Sequence, residues 1–160
     1  MGKLRPQGRA AMQPEFEEIC EIRAEVGPIL SLGSGVNGER RAVPILGGQV
    51  LGRLTGTILP GGVDHQHVRP DGVLELEARY ILRLDDGALI NVVNHGLRDA
   101  TPEDMARLAR GEPVPPERVY FRTAPRFDTV AAAHAWMTRR LFVGFAERHP
   151  ALVVVRVFSV

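Results

Sequence analysis

The chain of 160 residues has little cysteine, few aromatic residues and almost no net charge. Cys20 is its single cysteine, so no disulfide can form within the chain, which is typical of proteins that fold in a reducing compartment. We therefore expect a cytoplasmic protein. We interpret Cys20 as a small, buried apolar residue in a strand rather than as a nucleophile.

Charge and hydropathy also exclude several kinds of partner. The formal net charge is +1 and the basic residues are scattered, so no basic patch of the kind that binds nucleic acid stands out. No apolar run approaches the ~20 residues that a membrane-spanning helix needs. Basic residues near the N-terminus are not followed by an apolar segment, which argues against a secretory signal. We expect neither a nucleic acid nor a membrane as a partner.

The length predicts one folded domain, because a chain of this size corresponds to about one domain. Residues 1–13 contain glycine, proline, glutamine and basic residues without periodicity, and we expect a disordered N-terminal tail there. Residues 14–160 are then expected to form a single β-barrel domain.

The clearest strand pattern covers residues 73–84. Leucine, alanine and tyrosine alternate there with mostly charged residues, which is the period of a β-strand. An Asp85-Asp86-Gly87 turn joins this strand to another over residues 88–94, so the two form a hairpin. Weaker patterns predict further strands over residues 16–26, 45–57, 119–123, 141–146 and 152–160.

Two short helices are expected between strands. Thr101 is placed to cap a helix whose first residue is Pro102, a favoured residue at that position. Asp128 is placed to cap one or two helical turns that include Trp136. A single helix over residues 129–147 is the alternative, although Gly144 and the β-rich sequence around it disfavour that alternative.

Glycines between positions 47 and 62 favour a strongly curved sheet, since glycine within a strand marks a bulge, a bend or a close approach. Sheets need such bends in order to close. The predicted fold is mainly β: a single antiparallel closed β-barrel of about eight to ten strands with one or two short helices. A homodimer paired through strand edges is a further expectation, because incompletely closed barrels leave edges to cover.

Residues 59–72, LPGGVDHQHVRPDG, combine two turn signals with two histidines and two aspartates. We predict a loop at the mouth of the barrel over this segment. Asp71, within Pro-Asp-Gly, is interpreted as a turn residue.

A resemblance to a known family rests on several motifs taken in their order along the chain. They are RRAVPILGG (40–48), TGTILPGGVD (55–64), RPDG (69–72), LEARYILRLDDGALI (76–90), YFRTAPRFDT (120–129) and AWMTRRLFVG (135–144). Together they resemble the domain-of-unknown-function 3237 family, also called uncharacterised protein family 0311. The resemblance implies a closed β-barrel of lipocalin-like or allene-oxide-cyclase-like shape with a central pocket, and it implies no particular activity.

Candidate catalytic residues are Asp64 and Glu77, because a carboxylate whose pKa is raised by a pocket can act as general acid or base. Arg79 and Arg122 are candidate ligand-binding residues, since arginine recognises carboxylates through two hydrogen bonds. This reading requires the face of Glu77 and Arg79 to point inward. The alternatives are a turn role for Asp64, an outward-facing Glu77–Arg79 pair and a surface salt bridge for Arg122.

The histidines suggest a second kind of site. His65 and His67 are two residues apart in a segment that can be extended, so they can share a face, and His95 can supply a third metal ligand. The remaining residues do not fit the cupin pattern, so we predict no metal or other cofactor. His65, His95 and Trp136 are retained as candidate ligand-binding residues, although Trp136 is better explained as a plug at one end of the barrel.

The function predicted from the sequence is that of a small-molecule pocket barrel. It would act as a metal-independent lyase, isomerase, cyclase or hydratase on a small carboxylated or oxygenated metabolite. A non-catalytic barrel that binds a small molecule is the alternative. A cupin-like metal-dependent enzyme using His65, His67 and His95 is a third, weaker alternative. Whether the protein is an enzyme is left open by the sequence.

Overall fold

The structure, a computed structural model, describes residues 13–160, so the predicted tail lies outside the described residues except for its last residue. Ten strands, one α-helix and two 3₁₀ helices follow one another along the chain. The strands are β1 (Glu17–Val26), β2 (Leu30–Gly35), β3 (Gly38–Gly52), β4 (Gly56–Ile58), β5 (Gly62–Val68), β6 (Leu74–Leu84), β7 (Leu89–Asp99), β8 (Tyr120–Asp128), β9 (Phe142–His149) and β10 (Leu152–Ser159). The helices are α1 (Pro102–Ala109) and the 3₁₀ helices Pro116–Arg118 and Ala132–Arg139.

The strands form one antiparallel sheet that closes on itself. Its order runs from β1 through β10, β9, β8 and β7 to β6. Both β4 and β5 pair with β6 on one side and β3 on the other, and β3 pairs with β1 to complete the ring. Eight strands therefore make the closed barrel, while β2 and β4 are additional. The predicted fold class is confirmed.

The strand β3 joins two parts of the barrel wall by changing its neighbours halfway along. Its first half pairs with β5, and its second half pairs with β1 and β4. Gly48 lies at this change with φ near 142°, and a Cβ there would stand 1.9 Å from the carbonyl oxygen of Arg23. Only glycine fits, which explains why the glycines of this region accompany strong curvature.

Side-chain alternation decides which face of each strand points inward. Along β6 the leucines, Ala78 and Tyr80 are buried, whereas the intervening charged residues and Ile81 lie on the outer face. Burying that apolar face stabilises the barrel far more than burying charged groups would. Cys20 is also buried in the core, as predicted, and burial raises the pKa of its thiol to about 12.

Two local predictions need correction. The segment 59–72 is not a single loop, because Gly62–Val68 is strand β5, with turns on either side. The strand predicted over residues 88–94 runs on to Asp99 as β7. Its inward-facing residues keep their alternation past His95, and pairing with β6 and β8 on both sides holds this extension in the sheet.

The region after β8 contains the predicted helical turns with Trp136, but Asp128 does not cap them. Asp128 is the last residue of β8, and the following 3₁₀ helix Ala132–Arg139 has no side-chain cap. The single helix over residues 129–147 is excluded, because β9 occupies residues 142–149. Burial of alternate residues of β9, Phe142 among them, outweighs the local helix propensity.

The predicted helix cap is confirmed. The Thr101 hydroxyl accepts a hydrogen bond from the backbone N–H of Asp104 at 3.2 Å, at the start of α1. The buried Asp104 carboxylate accepts hydrogen bonds from the Arg118 guanidinium, which holds the α1 connection together between β7 and β8. None of the helices within residues 13–160 has the length and apolar character needed to cross a membrane.

One end of the barrel is closed by apolar side chains. Met137, from the 3₁₀ helix Ala132–Arg139, is buried, and Trp136 beside it contacts Phe142 with ring centroids 6.0 Å apart. Phe142 also meets Phe127 edge-on at 5.0 Å. We call the interior next to this plug the apolar half; it comprises Leu82, Leu84, Ile90, Val92, Phe127, Met137 and Phe142.

The extra strand β2 extends the sheet beyond the barrel. It pairs only with β3 among the described residues, and its side chains are exposed, including Leu30 and Leu32. Such a free edge is the kind of feature through which strands of two chains pair. The edge-paired homodimer stays a prediction.

Candidate functional site

Polar side chains replace apolar ones in the other half of the barrel interior. We call this the polar half; it comprises Asp64, Gln66, Asn94, Arg98, Thr123 and Arg148, which line one cavity. They come from β5, β7, β8 and β9, the last three of which also contribute to the apolar half. The inward face of these strands therefore changes character along its length.

Strand register brings the polar residues of β5 and β7 close together. Asp64 is opposite Ala78 of β6, and Ala78 is opposite Asn94 of β7, so a small alanine separates the two polar side chains. Gln66 follows Asp64 on the same face, two residues along β5. Asn94 and Arg98 likewise share the inward face of β7 and are both almost fully buried.

Two glycines make room for Thr123 on β8. Gly96 and Gly144 are its partners on the neighbouring strands. A Cβ at Gly96 would stand 2.7 Å from the Thr123 methyl group, and one at Gly144 would stand 2.1 Å from the Thr123 hydroxyl oxygen. The side chain of Thr123 thus occupies the space that two larger residues would fill.

The cavity enclosed by these groups is small, with a volume of about 40 Å³. Apolar residues complete its wall, among them Val43, Ile45 and Val155. Pockets for drug-sized ligands are typically ~300–1,000 Å³. A ligand larger than a few atoms therefore requires neighbouring side chains to move.

Five buried polar atoms around this cavity have no hydrogen-bond partner among the described residues. They are Oδ1 of Asp64, Oε1 of Gln66, Oδ1 of Asn94, Nε of Arg98 and Oγ1 of Thr123. Each buried and unpaired polar atom costs about 1–3 kcal/mol, and native proteins contain few of them. Five such atoms around one cavity make it the candidate site of the barrel.

Asp64 is the cavity's carboxyl group. Its Oδ2 accepts a hydrogen bond of 2.8 Å from the side-chain amide of Gln66, whereas its Oδ1 is buried without a partner among the described residues. Burial raises the pKa of Asp64 above its ordinary value of 3.8, and this effect outweighs the Gln66 hydrogen bond and the nearby guanidinium groups of Arg98 and Arg148. A carboxyl group in this condition is suited to accept and return a proton.

Arg98 is the most unusual basic residue of the cavity. Its side chain is 3% exposed, and burial together with the charge of Arg148 lowers its pKa to about 10. Its guanidinium lies over the Phe121 ring, 5.4 Å from the ring centroid. Arg148 is half-buried, and burial lowers its pKa as well, while Asp64 acts in the opposite direction.

Of the two predicted catalytic carboxylates, the structure places only Asp64 in the cavity. Glu77 and Arg79 lie on the outer face of β6, where the Arg79 Nε donates a hydrogen bond of 2.6 Å to Glu77. This pairing lowers the pKa of Glu77. The prediction that they face the pocket is therefore corrected, because the opposite, apolar face of β6 points into the barrel.

The three histidines lie on the outer face of the sheet, where they line one surface pocket together with Glu77. His65 and His67 share the outer face of β5, as their spacing predicted, with His67 Nε2 near the backbone oxygen of Asn37. His95 lies on the outer face of β7, with its Nδ1 4.0 Å from Glu77. Within residues 13–160, no group of three or more His, Cys, Asp or Glu side chains is arranged to hold a metal ion. The geometry therefore gives no support to the cupin-like alternative.

The two remaining candidates also lie away from the cavity. Arg122 is on the outer face of β8, where its guanidinium stacks 4.2 Å from the Phe145 ring centroid and 5.2 Å from that of Tyr120. Trp136 belongs to the plug at the opposite end of the barrel, and Arg53 covers it at 5.5 Å.

Most of the cavity's polar residues were missed in the sequence, because Gln66, Asn94, Thr123 and Arg148 have the composition of a protein surface. Arg98 was missed because its strand was predicted to end at Asn94. One signal was available: Ile90, Val92 and Asn94 alternate, and Arg98 continues the same phase. Following that phase would have placed a guanidinium inside the barrel.

Comparisons with known proteins agree with this fold. Residues 14–160 match the family described as "Protein of unknown function (DUF3237)". A UPF0311 protein of Rhodopseudomonas palustris is 44% identical over 147 residues, covering 91% of this chain and 96% of that protein. A UPF0311 protein of Bradyrhizobium diazoefficiens is 42% identical over 142 residues, covering 89% of this chain and 93% of that protein.

Solved structures show the same architecture. The crystal structure of a conserved protein of unknown function from Rhodopseudomonas palustris has a TM-score of 0.88 at 44% identity, covering 91% of this chain and 96% of that one. A beta-barrel like protein from Acinetobacter baumannii has a TM-score of 0.79 at 31% identity, covering 93% and 98%. An enzyme from Penicillium herquei has a TM-score of 0.68 at 19% identity, covering 94% and 99%, and this likeness concerns the fold alone.

Proposed function

Because the chain belongs to the DUF3237 family, whose description gives no function, we propose one from the barrel cavity itself: proton transfer by Asp64 on a small oxygenated metabolite. The reaction class is that of a metal-independent lyase, isomerase, cyclase or hydratase. The observation that carries the proposal is a buried carboxyl group surrounded by polar atoms that have no partner among the described residues.

The proposed step uses the cavity's own side chains. Asp64, as carboxylate, removes a proton from a carbon next to a carbonyl group. The electron pair of the C–H bond forms a C=C bond, and the π electrons of the carbonyl move onto its oxygen to give an enolate. The guanidinium groups of Arg98 and Arg148 lie on the same cavity and stabilise that negative charge. The proton on Asp64 then returns to the carbon, or the enolate re-forms its carbonyl, makes a C=C bond and expels a β-hydroxyl group, which takes the proton from Asp64 and leaves as water.

The environment of Asp64 favours this role over an ordinary structural one. A turn aspartate, the alternative for this residue, would accept hydrogen bonds from nearby backbone N–H groups. Asp64 instead lies within strand β5 and accepts its hydrogen bond from the Gln66 side chain, with the second oxygen unpaired among the described residues. Its raised pKa makes the ionised form a stronger base than an exposed aspartate.

Deuterium incorporation tests the proposal even though the substrate is unidentified. The protein is incubated in D₂O with a panel of small hydroxyketones and of hydroxy- and oxo-carboxylates, and loss of C–H signals is followed by ¹H NMR. We expect exchange into at least one compound, slowed ~100-fold or more by Asp64→Asn, since general acid–base groups contribute about 10²–10⁴-fold. Asp99→Asn, on the exposed face of β7, is the matched control.

Equal exchange by the Asp64→Asn variant and the unchanged protein would contradict the role of Asp64. The second candidate function is a binding barrel without chemistry. It is favoured by the neutral character of Gln66, Asn94 and Thr123, which can hydrogen-bond a ligand but do not exchange protons with carbon. Binding of a panel compound without any deuterium incorporation would support this candidate instead.

A further inference from the structure

Arg98 is a buried cation without a hydrogen-bonded anion among the described residues. It is 3% exposed, its Nε is buried without a hydrogen-bond partner there, and its guanidinium lies 5.4 Å from the centroid of the Phe121 ring. Burying such a group costs free energy unless an anion pairs with it. The geometry of a guanidinium suits a carboxylate, whose two oxygens can accept parallel hydrogen bonds.

The balance of charge around Arg98 also favours an incoming anion. Asp64 and Arg148 share the cavity with it, and the field of Arg41 reaches it from β3. Arg41 is already paired with Glu39 at 2.9 Å. Two guanidinium groups, of Arg98 and Arg148, therefore face one carboxyl group whose ionisation is disfavoured, so the cavity carries an excess of positive charge.

The unpaired hydrogen-bond acceptors of the cavity require a donor on the ligand. Oε1 of Gln66 and Oδ1 of Asn94 are carbonyl oxygens, which accept but cannot donate hydrogen bonds. A carboxylate alone would leave both unsatisfied. A hydroxyl group on the carbon chain supplies a donor for one of them, and the Thr123 hydroxyl, itself unpaired, can act as donor or acceptor.

From this pattern of donors and acceptors, we propose that the cavity binds a small hydroxycarboxylate, with its carboxylate on Arg98 and its hydroxyl group at Asn94 and Gln66. In the proposed step the negative charge develops on this carboxylate, and Arg148 lies on the same cavity to help stabilise it. This inference deepens the proposed function, because it names the substrate class of the same cavity.

Three small probes separate the contributions of the carboxylate and of the hydroxyl group to binding. Lactate has both a carboxylate and a hydroxyl group, acetate has only the carboxylate, and ethylene glycol has only hydroxyl groups. Binding of each probe is measured by titration with ¹H–¹⁵N NMR on the whole protein. We expect lactate to bind at least tenfold more tightly than either of the other two, with shifts at Asn94 and Gln66.

The variant Arg98→Met removes the proposed anchor and keeps a long side chain. We expect it to weaken lactate binding at least tenfold, while Arg83→Met, on the exposed face of β6, leaves binding unchanged. Arg98→Met is expected to fold, because it replaces a buried unpaired charge with an apolar group. Arg98→Lys keeps the charge but loses the planar fork, and an intermediate affinity is expected.

Equal binding of lactate by the unchanged protein and by Arg98→Met would overturn the inference, and so would equal binding of ethylene glycol or no binding of lactate at all. Asp64→Asn distinguishes this inference from the proposed function. If that variant still binds lactate but no longer promotes deuterium exchange, both the hydroxycarboxylate site and proton transfer by Asp64 are supported. If it binds lactate and exchange is unaffected, the hydroxycarboxylate site stands and proton transfer by Asp64 fails.

Discussion

The two halves of the barrel interior are built from many of the same strands but have different physical roles. In the apolar half, Ile90 and Val92 of β7 belong to the same buried apolar cluster as Met137 of the plug. Further along the same strand, Asn94 and Arg98 face a cavity and leave polar atoms unpaired among the described residues. One strand therefore contributes to the stability of the fold at one end and to the candidate site at the other.

The difference shows where the protein retains groups that disfavour folding. Burial of apolar surface contributes ~25 cal/mol per Å², so the apolar half contributes a large favourable free energy of folding. Unpaired buried polar atoms cost about 1–3 kcal/mol each, so the polar half lowers the stability of the fold. Natural proteins keep such costs mainly at functional sites, which is why the polar half is the candidate site.

The largest effect is expected in the apolar half. Ile90→Ala removes a fully buried side chain and should lower the free energy of unfolding by about 2–5 kcal/mol. Asn94→Ala, further along the same inward face of β7, removes an unpaired amide oxygen and should cost much less. Urea denaturation of both variants measures the difference, and equal losses would contradict the division into two halves.

The plug gives the next largest effect. Met137→Ala should lower the free energy of unfolding by about 2 kcal/mol or more, because the side chain is 1% exposed and the 3₁₀ helix Ala132–Arg139 has little else to bury. Lactate binding should not change, since the plug lies at the opposite end from the cavity. Thermal unfolding and the NMR titration check the two parts, and weakened binding would show that the halves are coupled.

A smaller effect of opposite sign is expected in the polar half. The pKa of Asp64 is raised in the folded state above its ordinary value of 3.8, so the folded protein holds this proton more tightly than the unfolded chain. The cost to stability therefore appears as pH rises from near 3.8 through the raised pKa, and it is complete above that pKa. Asp64→Asn should raise the free energy of unfolding at pH 7 by about 1 kcal/mol, and this gain should vanish in acid.

Denaturation of Asp64→Asn and of the exposed control Asp99→Asn across this pH range provides the measurement. Asp99→Asn controls for the loss of an aspartate at an exposed position of β7. A gain for Asp64→Asn that is constant with pH would mean that ionisation of Asp64 does not carry the cost.

The smallest effect is expected outside the barrel. Arg83→Met, on the exposed face of β6, should change the free energy of unfolding by no more than about 0.5 kcal/mol. The same substitution at Arg98 should keep or raise stability, because it removes a buried unpaired charge. A large loss for Arg98→Met in urea denaturation would mean that Arg98 supports the fold rather than a ligand.

The sequence predicted the barrel well because strand alternation and turns are local signals. The hairpin around Asp85-Asp86-Gly87 and the cap at Thr101 depend on neighbouring residues alone, and both are present. The family resemblance added the closed architecture, which local periodicity does not specify. The 3₁₀ helix after β8 was harder, since tertiary burial of β9 decided where the following strand begins.

The candidate site was predicted only in part. Asp64 was found from its place among glycines and histidines, but Glu77 and Arg79 were assigned to a pocket from which their strand turns them away. Alternation predicts two faces without stating which one points inward when both carry mixed residues. Polar residues of a strand usually face solvent, but in this half of the barrel they face inward. Residues such as Asn94 and Arg98 therefore have the sequence pattern of surface residues, and only the closed barrel shows that they are buried.

The most direct test of the account is the pKa of Asp64, measured by ¹³C NMR titration of its side-chain carboxyl group in the folded protein. We expect a value clearly above 3.8, and a shift in the Asp64 titration when Arg98→Met removes the neighbouring charge. An Asp64 pKa at or below 3.8 would contradict it, because the carboxylate would then be stabilised by the fold and would not be held ready to accept a proton.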